Sequence, residues 1–137
     1  YVRKMGISTT QTTAGVNGWL IAKRSAANTG GTSAALTEVP LRSTSVAASA
    51  TGLQYTANPS AGALVGNLWT GWVNSPDVAA DSTGQLGSIV VDFESLFGEP
   101  LALLSISEVI AWNFGGATLP TGLSVRAWIQ WSESSKS

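Results

Sequence analysis

Asp92 and Glu94 are the residues whose types and spacing come nearest to an acid/base pair. Two apart on an extended segment, they share a face, and paired carboxylates can serve as acid and base in glycoside cleavage when their separation fits. No third catalytic group joins them, so they read as the solvated rim of a strand; Glu99 and Glu108 read the same way. Asp77 and Asp81 could bind calcium together with backbone carbonyls, but the regular acidic spacing of a calcium-binding loop is absent. The chain has no histidine and no cysteine. It therefore lacks the commonest general base, the usual partner of a serine nucleophile, thiolate metal ligands and any disulfide. No phosphate-binding or dinucleotide-binding glycine pattern occurs. The residues predict no enzyme and no cofactor.

Charge narrows the choice further. Only 11% of the 137 residues are charged, against about 25% in an average soluble domain. Seven basic and eight acidic residues nearly cancel, and Arg3-Lys4 and Lys23-Arg24 are the only adjacent basic pairs. Nucleic-acid binders need a concentrated positive surface, so that role is disfavoured. No apolar run approaches the length of a membrane-spanning helix. A nearly neutral surface is poorly protected against association, which suits a protein that spends its life attached to something.

The tryptophans carry more information than the acids. Trp69 with Trp72, and Trp128 with Trp131, share the spacing W-x-x-W. On a regular strand, positions three apart point to opposite faces. In "LSVRAWIQWSES" (123–134), Leu123, Val125, Ala127, Ile129 and Trp131 form one face, which we assign to the core. Trp128 falls on the other face with Arg126 and Gln130. Such an indole can lie under a loop of its own chain, anchor an interface, or offer a platform for a sugar. Trp and Arg are enriched at binding hot spots, and sugar sites usually align several aromatics, so interface ranks above sugar. For the other pair, a bulge near Gly71 could change the phase of the strand.

The elements that must position these residues are short. Strand-length apolar runs span 15–23, 63–73, 87–93, 107–114 and 122–131, and 36–43 reads as an edge strand broken by Pro40. Stretches 25–35, 43–52 and 74–85 read as loops. Segment 97–107 reads as β or irregular structure, although Glu99-Pro100 could open a short helix. Residues 1–6 are expected to form an extended arm and 132–137 a polar tail. The fold expected for 1–137 is one all-β domain, an antiparallel β-sandwich or jelly roll.

The C-terminal third, "GEPLALLSISEVIAWNF", the turn "GGATLPTG" and the strand "LSVRAWIQWSE", resembles the closing part of small β-sandwich or jelly-roll decoration (cement) proteins of tailed bacteriophage heads. The small-residue first half, with its "W-x-I" strand, is similar in style. The resemblance implies a virion structural protein on the capsid exterior. Its partner would be the major capsid protein, it would form a homotrimer, and it would need no active site. On this reading Tyr1, Arg3, Lys4, Arg126, Trp128 and Gln130 are the expected contact residues. The competing expectation is a carbohydrate-binding module, or a phage receptor-binding or tail-fibre domain, using exposed tryptophan.

Overall fold

The computed structural model describes residues 1–40, 47–77 and 87–133. It is all-β, with antiparallel sheets. The strands are β1 (Val2–Thr10), β2 (Gly15–Arg24), β3 (Thr32–Ala35), β4 (Leu53–Ala57), β5 (Leu64–Ser75), β6 (Gly87–Asp92), β7 (Val109–Asn113) and β8 (Ser124–Trp131). Among the described residues one helix, α1 (Phe93–Phe97), interrupts them.

Two three-stranded sheets have the orders β6-β1-β8 and β5-β2-β7, and β3 pairs with β4. Each consecutive pair β1/β2, β5/β6 and β7/β8 therefore sends one strand to each three-stranded sheet. Alternation explains the core. Met5 and Ile7 of β1, Trp19 and Ile21 of β2, Val73 of β5 and Val91 of β6 are buried. Side chains from both sheets meet in the same apolar clusters, and burying a residue of this size is worth about 1.5–3 kcal/mol.

Residues 2–6, expected as part of an extended arm, belong instead to β1, the central strand of its sheet. The alternation there is broken by a bulge between Val2 and Lys4, which puts Arg3 out of phase and hides the strand signal. Trp131 lies against the core as expected. In β5 the irregularities fall at Leu68, opposite the Ile21/Ala22 step, and at Val65, opposite the Lys23/Arg24 step, and not at Gly71. Trp69 thus packs inward and Trp72 points out. Gly71 lies beneath the Trp69 ring, where a side chain would collide with it.

Two stretches differ from expectation in kind. The loop read at 25–35 contains β3, and 36–40 is irregular, with no strand. β3 and β4 were inconspicuous because Thr-Ser-Ala-Ala has no apolar face and the ladder stands exposed. The acidic pair is not on one strand either: β6 ends at Asp92, and Glu94 lies in α1. Asp92 caps that helix by accepting from the Ser95 amide at 3.1 Å, and Gly98 closes it in the left-handed region at φ 80°.

The two ends of the structure differ chemically. At one end Asn17 Nδ2 donates to Ser75 Oγ (2.8 Å) and Gln11 Oε1 (3.1 Å), and Ser75 Oγ donates to Thr9 Oγ1 (2.8 Å). This buried chain of polar groups ties β1 to β2 and β5. At the other end, Val2 bridges Leu101 and Lys23 Nζ donates to the Ala102 carbonyl at 3.1 Å. The start of β1 and the end of β2 meet there.

Candidate interaction surface

The outward face of the β6-β1-β8 sheet is a grid fixed by register. Asp92, Lys4 and Gln130 form one row, Val90, Gly6 and Trp128 the next, and Ser88, Ser8 and Arg126 the third. Period two makes the assignment, because positions 4, 6 and 8 of β1 alternate with buried Met5, Ile7 and Thr9. The register thus gathers four of the six expected contact residues, Lys4, Arg126, Trp128 and Gln130, on one face. Tyr1 and Arg3 lie elsewhere. The Tyr1 nitrogen and carbonyl both bond Ser132 at the end of the sheet, and Arg3 reaches Glu94 of α1 at 3.3 Å.

Trp128 lies across Gly6, its cross-strand neighbour, in the space a Cβ there would occupy. Gly6 is buried by this cover although it faces outward, and the indole stays 47% exposed beside exposed Val90. The middle row is therefore an apolar stripe. It is flanked by the Lys4–Asp92 ion pair (2.7 Å) on one side and Arg126 on the other.

A second exposed indole repeats the arrangement on the other sheet. Trp72 is the cross-strand partner of Gly18, and a Cβ at Gly18 would stand 3.3 Å from its ring. Trp72 is 73% exposed and borders an open groove of about 520 Å³ that also touches Leu20, Thr70 and Phe114. Below it, Trp19 meets Phe114 edge-on at 4.7 Å and Trp112 at 6.5 Å. The buried indole N–H groups of Trp19 and Trp112 have no hydrogen-bond partner. Sequence alone left open which of Trp69 and Trp72 faces out, and it carried no sign of the groove, because the groove depends on where β7 turns away from β2.

The third exposed region is the α1 end. Leu64 and Val65 open β5, Leu96 and Phe97 lie on α1, and Leu104 and fully exposed Ile106 precede β7. Three ion pairs lie nearby, Arg3–Glu94, Lys4–Asp92 and Lys23–Glu108, while exposed Glu99 follows the helix. The Lys4 ammonium, then the Ser95 amide, holds the Asp92 carboxyl below its usual range. The Leu104 amide, then Lys23, does the same for Glu108. Asp92 and Glu94 are thus committed to a helix cap and to ion pairs.

Asp77 bridges Gln11, and its expected calcium partner Asp81 lies outside the described residues. Among the described residues no group of three acidic side chains converges, and no helix is long and apolar enough to cross a membrane.

Glu133 performs one further task that sequence reading missed. Its carboxylate accepts from the Ser49 amide (2.9 Å), the Ala50 amide (2.9 Å), the Ser49 hydroxyl and Trp131 Nε1 (3.1 Å). These donors, led by the Ser49 hydroxyl, lower its pKa to about 2. The contact ties the excursion between β2 and β5, which carries β3 and β4, to the end of β8.

No family model, curated protein or solved structure matches this chain.

Proposed function

We propose that this chain is a virion structural protein, a decoration (cement) subunit. It binds the outer face of a major capsid shell and stabilises it through multivalent protein–protein contacts, assembling as a homotrimer. The observation that carries the reading is the apolar α1 end. Six large apolar side chains are exposed there, and six of the neighbouring charged groups are paired with one another in three ion pairs. Exposed large apolar side chains concentrated at one end of a domain suit a surface that a partner covers. The Val90–Gly6–Trp128 stripe supplies a second contact on a different face, which is what multivalent attachment requires.

The work such a subunit does is mechanical. Each contact is individually modest, and the shell is stabilised because one rigid β body engages several neighbours at once. The low charge reduces the desolvation cost of burying these faces.

Two measurements test the reading. Sedimentation of the purified chain should give the mass of a trimer. Mixed with expanded heads of the virus that encodes it, the chain should co-sediment with them and raise their disruption temperature. A chain that remains monomeric at every concentration and leaves the heads unbound would falsify the proposal.

A further inference from the structure

The outward face of the β5-β2-β7 sheet differs from the Trp128 face in one decisive respect. Both present an indole laid across a strand glycine, but among the described residues none that lines the groove beside Trp72 is ionisable. Its volume of about 520 Å³ lies within the range of small-molecule sites, about 300–1,000 Å³. The groove exists because β7 pairs with β2 only from Leu20 onward, and the chain then turns away at Phe114. The Gly15–Trp19 half of β2 has no strand partner on that side among the described residues.

The chemistry of this groove selects its ligand. With no fixed charge among the described lining residues, an ionic ligand would lose hydration and gain no counter-charge from them. An entirely apolar ligand gains little, because an open groove leaves much of it in water. What fits is a ring with one apolar face and a polar rim. The C–H face packs on the indole, while hydroxyls bond Thr70 Oγ1, nearby backbone groups and solvent. Gly18 contributes by lacking a Cβ, so that the Trp72 ring can rest on the strand with its other face outward.

We propose that this groove binds a neutral saccharide, with one sugar ring stacked on the exposed face of Trp72. The site is independent of the decoration reading: it uses neither the α1 end nor the Trp128 stripe.

Affinity electrophoresis of the full chain through gels containing soluble neutral polysaccharides (a β-glucan, a xylan, a galactomannan) tests it, with a polyuronate as the charged control. At least one neutral polysaccharide should retard the chain equally at low and high salt, because no ion pair contributes. Trp72→Ala should weaken that retardation at least about tenfold, and Trp128→Ala should change it by less than about twofold. Trp72→Phe should restore part of the loss. Trp72 is too exposed for its removal to unfold the chain, and a matched thermal melt checks this. No retardation by any neutral polysaccharide, undiminished retardation of Trp72→Ala, or salt-sensitive retardation by the polyuronate alone would each overturn the proposal.

Discussion

Trp128 occupies the space that a side chain at Gly6 would need. The two residues face each other across β1 and β8, and the indole replaces the missing side chain as cover for the strand backbone. Gly6 is therefore buried on a face that otherwise meets solvent. The pairing also pins the register, since a slip of one residue would turn the ring toward the opposite face of the sheet.

Gly6→Ala should destabilise the protein. The intrinsic strand preference favours alanine over glycine by roughly 0.5–1 kcal/mol. Against that, the new Cβ must expel the ring, an overpacking cost of about 1–3 kcal/mol. Urea unfolding should show the net loss. In a Trp128→Ala background the same substitution should become neutral or stabilising, because the colliding ring is gone. Equal effects in both backgrounds would show that the ring does not rest on Gly6.

Asn17→Ala should cost about 1–3 kcal/mol by denaturant unfolding, since it leaves a buried acceptor at Ser75 without its donor. Ser75→Ala should cost a similar amount, because both Asn17 and Thr9 lose a partner. The double variant should cost less than the sum of the two, as expected of one connected network.

The Glu133 clamp makes the β3–β4 excursion acid-sensitive. The folded-state pKa, about 2, lies below the ordinary value of 4.5. Its stabilising contribution is therefore fully present above pH 4.5 and is lost as pH falls from 4.5 toward 2. The protection factors of the Ser49 and Ala50 amides, taken against the intrinsic exchange rate at each pH, should fall through that window. Glu133→Gln should quicken exchange at neutral pH and remove this part of the pH dependence. Global unfolding should change little in that variant, because the clamp is exposed and holds an excursion outside the core.

A Leu104→Asp/Ile106→Asp double variant should fold as the unsubstituted chain does, because both side chains stand almost wholly in solvent. It should sediment as a monomer, at about one third of the mass expected for the proposed trimer, since burying two carboxylates at a contact opposes association. An unchanged assembly mass would place the contact on another face.

Much of the sheet structure was legible locally. Strict alternation in Ser124–Trp131 separates Trp128 from Trp131, and it does so wherever the strand pairs. The runs that became β2, β5, β6 and β7 carry β-branched and aromatic residues that favour extended structure in any arrangement. β1 was obscured because its bulge at Arg3 breaks the alternation between Val2 and Met5. Helix α1 was obscured because five residues are too few for a helical stripe, so that only its caps, Asp92 and Gly98, could have announced it.

Local to the sequence are the strand runs of β2, β5, β6, β7 and β8, the side chains that share a face within each regular run, and the chemistry missing for want of histidine and cysteine. These follow from backbone periodicity and residue type, both local properties. Tertiary structure decided which glycine lies beneath which tryptophan. It also decided that β7 leaves β2 at Phe114 and opens a groove, and that exposed Leu64, Phe97 and Ile106 gather at one end. Each depends on register and on contacts between residues far apart in the chain, where many pairings share the same local pattern and only simultaneous burial of both sheets selects one.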